Sequence, residues 1–164
     1  PMLIDVDHPL ASVRDSFNAV FVHGDAVDDA MFYGRGAGEL PTASAVVGDI
    51  FDIARNLQYE CCGRISCTCY KQLPIKAMDD ICSKYFLRML VENEPGVLAA
   101  VTAVFGDRKV SIEQIIQKKK IGELAEIVVV TEKVKERHVK DSLKAFEEMT
   151  AVKKVSSVIR VYGE

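Results

Sequence analysis

Three groups of side chains in this sequence have the chemistry and spacing to form a site. The first is Glu92-Asn93-Glu94-Pro95-Gly96-Val97-Leu98, where a strand-like run passes through a Pro-Gly turn into a helix-like one. Unpaired N–H groups and the positive end of a helix dipole attract a carboxylate, and a glycine at the turn lets a ligand approach the backbone closely. Asn93 would orient such a ligand by hydrogen bonding. A bare strand-to-helix turn uses the same Pro95-Gly96 pair, but it gives no reason for the polar Asn93 and Gln114.

The second group is Gly34-Arg35-Gly36-Ala37-Gly38, which lies between a short apolar run and a stretch of small residues from Pro41 to Ile50. Strand, glycine loop and helix in that order are compatible with a cofactor meeting the backbone and equally with a tight packing turn. The dinucleotide-binding fingerprint is not met, because Glu39 or Pro41 stands where its third small residue belongs.

The third group is Cys61, Cys62, Cys67 and Cys69, four thiols within nine residues, with Cys82 further on. Structural zinc prefers two pairs with two to four residues inside each pair, and this spacing is poor for that. No metal site is expected, and the thiols are read as reduced packing or connector residues. His8, His23 and His138 are scattered with no serine or cysteine partner in reach, so no catalytic residue is assigned.

The elements that must position these groups are clearest in the last half of the chain. Tyr85, Leu87, Met89 and Val91 alternate with Phe86, Arg88, Leu90 and Glu92, the period of a strand with one fully apolar face. After the Pro-Gly break, Val97, Leu98, Val101, Val104 and Phe105 recur at helical spacing. Val110 to Gln117 reads as a second strand, Lys118 to Gly122 as a turn, and Ile127 to Val130 as a third strand. Val139, Leu143 and Phe146 mark a second helix, and Val155 to Tyr162 a last strand. The order β-α-β-β-α-β is the ferredoxin-like arrangement, an antiparallel sheet with both helices on one face. Phe86, Leu90, Ile115 or Ile116 and part of Ile127 to Val130 would face the uncovered side, so self-association is expected.

Ahead of this domain, Asn18 to His23 and Ala30 to Tyr33 read as short strands. The sequence thus divides into an acidic segment 1–58, with nine acidic side chains against three basic, a connector 59–84 holding all five cysteines, and a near-neutral domain 85–164.

Two resemblances give these pieces a meaning. The stretch from Tyr85 to Gln117, with its strand, Pro-Gly-Val-Leu, amphipathic helix and following strand, resembles an ACT domain, the amino-acid-sensing module of biosynthetic enzymes. The resemblance implies a ligand held between two copies, touching Asn93, Glu94, Pro95, Gly96, Val97 and Leu98 of one and Ser111, Ile112 and Gln114 of the other. Many amino-acid-binding members carry asparagine where Ser111 stands, and the alternative is an ACT-type module that pairs subunits and binds no ligand. Asp7-His8-Pro9-Leu10-Ala11, Asn18 to Val22, and Tyr33 to Gly38 with Leu40 to Asp49 resemble the end of the catalytic part of the homoserine dehydrogenase family.

The fold class implied is α+β: a C-terminal ferredoxin-like βαββαβ (ACT) domain preceded by an incomplete α/β piece of a catalytic domain. The activity implied for the parent enzyme is NAD(P)-dependent conversion of aspartate semialdehyde to homoserine, with Gly36, Ala37 and Gly38 approaching the nicotinamide and the helix from Pro41 packing against the nucleotide-binding domain. The regulatory ligand implied is threonine, acting by feedback through a homodimer of ACT domains. In the family the dinucleotide-binding unit and the lysine and acidic residues of catalysis precede the position of Pro1, and neither Lys71 nor Lys76 sits in the corresponding motif. This piece is therefore expected to hold no cofactor and to be silent by itself.

Composition narrows the remaining classes. The chain of 164 residues is 49% hydrophobic and 27% charged, which excludes disorder. A net charge of −3 without a basic stripe argues against nucleic acid as a partner. No apolar run reaches the ~18 residues of a membrane span and no secretion signal is seen, so a cytoplasmic home is expected.

Overall fold

The structure, a computed structural model, describes residues 1–61 and 70–163. Cys62, Cys67 and Cys69, on which the thiol reading turns, lie outside the described residues. In chain order the elements are β1 (Met2–Leu3), β2 (Phe17–Gly24), β3 (Asp28–Arg35), α1 (Glu39–Gln58), β4 (Cys82–Glu92), α2 (Val97–Asp107), β5 (Ile112–Ile121), β6 (Leu124–Thr131), β7 (Val134–Lys135), α3 (Glu136–Glu148) and β8 (Val152–Val161). They form two compact units, one of Val6–Pro74 and one of Pro1–Asp5 with Ile75–Glu164. Among the described residues no helix is long and apolar enough to cross a membrane.

The C-terminal unit has the ferredoxin-like order, with its sheet running β1-β8-β4-β6-β5. β4 lies antiparallel between β6 and β8, and β5 closes the other edge against β6. The alternation read in the sequence sets the core: Tyr85, Leu87, Met89 and Val91 join Ala125, Ile127 and Val129 on the buried face. They meet Val101 and Phe105 of α2 and Val139 and Phe146 of α3. Phe105 and Phe146 touch edge to face, with ring centres 5.0 Å apart.

On the opposite face Phe86 and Leu90 are only half-buried. Ile116 is 39% exposed, whereas Ile115 packs against the core. Ile116 is therefore the outward member of that pair. Val128 joins it on this face, opposite both Ile116 and Arg88.

Several boundaries differ from the sequence reading, each for a physical reason. Lys118, Lys119 and Lys120 belong to β5, and the turn is confined to Gly122 and Glu123. β5 is the edge of the sheet, where lysines are tolerated, and Gly122 takes the positive φ of +63° that the reversal needs. β4 begins at Cys82 instead of Tyr85 because Cys82 and Ser83 pair with β7. The first five residues, read as part of the acidic segment, contribute β1 to the C-terminal sheet, parallel to β8.

In the other unit β2 and β3 form an antiparallel hairpin, from Phe17 opposite Arg35 to Gly24 opposite Asp28. The helix read as Pro41 to Ile50 spans Glu39–Gln58, with Pro41 in its first turn, where a missing N–H costs no hydrogen bond. None of its residues is buried, and Leu40, Ile50, Phe51, Ile53 and Leu57 are all more than half exposed.

Candidate functional site

The Pro-Gly turn stands at the end of β4, and Gly96 caps α2 with φ +91°, in the left-handed region. A Cβ built on Gly96 would meet no atom within 4 Å. Glycine is thus demanded by the backbone angle, while the space in front of it is open. No side chain caps the helix. Val97 N–H reaches Glu94 O at 3.3 Å, and the first helical bond is Ala100 N–H to Gly96 O at 2.9 Å. The Leu98 and Ala99 amides therefore have no acceptor within the helix, and they carry the positive end of its dipole.

Beside them Asn93 is fixed from two sides. Its N–H donates to Glu123 O at 3.0 Å, and its Oδ1 accepts from Gln117 Nε2 at 3.1 Å. Gln117, Glu92, Asn93, Glu94, Val97 and Leu98 line a hollow of about 30 Å³, room for no more than a few water molecules. The sequence marks Gln117 only as the end of a strand, a polar residue closing an apolar run.

Ser111, Ile112 and Gln114 are at the other end of the sheet. Ile112 lies opposite Thr131, whereas the turn is flanked by Leu124, the partner of both Ile121 and Glu92. Ser111 just precedes β5, and its carbonyl accepts Glu132 N–H at 2.9 Å. A register shift sets Gln114 opposite Val130 on the outer face, and Glu113, skipped by it, holds Lys84 at 2.8 Å. Within one chain the two groups of predicted ligand residues do not meet.

The glycine loop of the first unit can be tested against a nicotinamide cofactor. Gly36, Ala37 and Gly38 line an open groove of about 740 Å³ with Thr42, Ala43, Val46 and Val47, a mainly apolar wall that suits the face of a neutral ring. Its charged side chain is Glu39, so no cationic side chain lines it, and an anion there would meet only the backbone amides at the start of α1. The two glycines have different reasons. A Cβ on Gly36 would fall 1.6 Å from Asn18 Nδ2, so this glycine makes room for a neighbouring side chain. Gly38 takes φ +132° as the cap of α1. Nearby, Phe17 and Tyr33 stack with ring centres 4.9 Å apart, and the Arg35 guanidinium lies 5.0 Å from the Phe17 ring centre.

A cluster that the sequence did not announce joins three elements of the C-terminal unit. Glu136 Oε2 accepts from the Tyr85 hydroxyl at 2.6 Å and from Arg160 Nη2 and Nε at 2.6 and 3.1 Å. Desolvation pushes this carboxyl up, but the Tyr85 hydroxyl and the Arg160 guanidinium together outweigh it and hold it below the usual glutamate range. Burial, and then the neighbouring carboxylate, push the Tyr85 phenol up. Among the described residues no group of three or more His, Cys, Asp or Glu could hold a metal.

Comparison with known proteins extends these observations. A family model described as homoserine dehydrogenase matches residues 1–51, and one described as ACT domain matches residues 85–150. Homoserine dehydrogenases of Bacillus subtilis and Mycobacterium tuberculosis are 39% and 42% identical to 99% of this chain. The chain spans 38% of the length of each. The crystal structure of a homoserine dehydrogenase from Thiobacillus denitrificans superimposes on 99% of the chain with a TM-score of 0.86 at 34% identity, and 38% of that structure is covered. One from Staphylococcus aureus gives 0.55 at 30% identity, with 37% covered. By sequence and by fold, the chain corresponds to the C-terminal part of a homoserine dehydrogenase, the end of the catalytic region followed by an ACT domain.

Proposed function

We propose that the chain is the regulatory region of an NAD(P)-dependent homoserine dehydrogenase, a cytoplasmic oxidoreductase that converts aspartate semialdehyde to homoserine. In this reading the ACT unit binds threonine and inhibits its own pathway by feedback. The observation that carries the reading is the turn at Gly96: a left-handed backbone, open space in front of it and an uncapped helix start. A carboxylate would accept from the Leu98 and Ala99 amides, and the amino group would turn toward carbonyls at the end of β4.

A second copy is part of this reading for two reasons. The hollow at the turn is far too small for an amino acid, and Ser111, Ile112 and Gln114 stand at the opposite end of the same sheet. The half-exposed face with Phe86, Leu90 and Ile116 offers apolar area for pairing. Inhibition then requires that threonine bind one arrangement of the two copies better than another. In the whole enzyme Gly36, Ala37 and Gly38 would face the nicotinamide, while this chain alone would turn over no homoserine.

Titration calorimetry with threonine, and with isoleucine, methionine and lysine as controls, tests the ligand. Saturable heat with threonine alone supports the reading. A dimer that gives no heat with any of the four supports the second reading, a module that only pairs subunits; Gln117 closing on Asn93 favours that alternative.

A further inference from the structure

We propose that Glu136 is a positioning residue that locks together the two stretches of chain joining the C-terminal unit to residues 6–74. The chain leaves this unit after Asp5 and returns to it at Ile75. The outgoing stretch is held as β1, with Met2 opposite Arg160 and Leu3 opposite Val161. Tyr162 N–H adds a bond of 2.8 Å to Leu3 O. The returning stretch is held at Ile81, whose carbonyl accepts the Glu136 N–H at 2.9 Å. Asp79 and Asp80 hold it too, through Lys140 at 2.7 Å and Lys135 at 3.1 Å.

Glu136 is common to both anchors. Its amide holds the returning stretch, and its carboxylate holds Arg160, the β8 residue beside which Met2 lies. Tyr85 binds the same oxygen and ties the cluster to β4. The Glu136 side chain is 14% exposed, so these bonds are largely shielded from competing water. β1 has two residues, both at least 40% exposed, and buries too little to hold itself in place. β1 pairs with the backbone of Arg160 and Val161, which the β4 ladder holds from the other side through Tyr85 and Lys84, and the Glu136 fork adds a side-chain hold on the same residue, Arg160. Glu136 thus couples the two stretches, so that loosening its hold on one loosens the other. This lock is a device of the fold and operates whether or not the Gly96 turn binds an amino acid.

Amide exchange of the full chain, read residue by residue, tests the lock. Glu136→Gln keeps the shape and the Tyr85 bond but removes the charge, and should speed exchange of the Tyr162 amide roughly tenfold. Arg160→Lys keeps the charge but loses the fork, and should speed the position-136 amide comparably. Each substitution adjoins one anchor, so the reading that decides is at the other. Amides of the β4–β6 ladder should speed clearly less than the two anchors in both variants, only by the factor that the loss of overall stability sets. If Glu136→Gln leaves Tyr162 unchanged, or Arg160→Lys leaves position 136 unchanged, the anchors are independent and the proposal falls. Equal acceleration across the whole unit, ladder included, would mean a plain loss of stability and would also overturn it.

Discussion

The Tyr85 hydroxyl donates to Glu136 Oε2 at 2.6 Å, joining the strand at the centre of the sheet to the first residue of α3. Tyr85→Phe should destabilise the C-terminal unit by about 1.5–3 kcal/mol, the range for one hydrogen bond to a charged group. A urea midpoint within error of wild type would show that the bond adds nothing.

The same cluster sets a dependence on acid. Because the folded Glu136 carboxyl titrates below its ordinary range, its contribution is complete at neutral pH. It fades as pH falls below about 4.3, the ordinary glutamate value, and is gone beneath the folded value. The stability gap between wild type and Glu136→Gln should be widest near pH 7 and close toward pH 3. A gap that is constant over that range would contradict the assignment.

Gly36 and Asn18 are a second testable pair. The Cβ of Gly36→Ala would fall 1.6 Å from Asn18 Nδ2, so the Asn18 side chain must move or the hairpin must shift. Both residues are exposed and the Asn18 amide can swing aside, so a loss of only about 1 kcal/mol is expected. Adding Asn18→Gly should restore most of it, read as thermal midpoints of the single and double variants. No recovery in the double variant would place the need for glycine elsewhere, in the backbone or in a ligand.

At the turn, open space and backbone angle make opposite demands. Gly96→Asp meets no steric barrier, and aspartate tolerates left-handed backbone better than most residues. The circular dichroism spectrum should stay near wild type, with stability lower by about 1 kcal/mol. A carboxylate in the place proposed for the ligand's own should remove all heat of threonine binding. Binding that survives this change would put the ligand somewhere else.

Phe105 and Phe146 anchor the two helices over the sheet, both with no exposed surface. Phe105→Ala should cost about 3–5 kcal/mol, the range for truncating a buried aromatic. Equilibrium unfolding followed by a probe in the C-terminal unit would detect it. A cost under ~1 kcal/mol would mean that the core refills the space.

The core of the C-terminal unit was legible because its signals are local. Tyr85 to Val91 alternate without a break, and Val101, Phe105, Val139 and Phe146 keep helical spacing. What escaped depends on partners distant in sequence. Nothing within Met2–Leu3 marks a strand, since its only reason is β8, some 160 residues on. Lys118 to Lys120 read as a loop because their edge position is set by the whole sheet. The site was legible by half. Pro95-Gly96 announced the left-handed turn, but the Gln117 bond to Asn93 and the separation of Ser111 from the turn follow from strand register. Glu136 carried no sequence signal, because both of its side-chain partners come from strands that periodicity reads only as core.

The two-residue strand also has a bearing on solubility. β1 reaches only Arg160 and Val161, so Val152 to Ile159 have no outer neighbour among the described residues. An open border of this kind invites hydrogen bonding by another polypeptide in extended form. Lys153 and Lys154 lie on it, both exposed, and charges so placed discourage unspecific stacking. Neutralising both lysines should therefore promote aggregation well below the temperature at which the fold itself is lost.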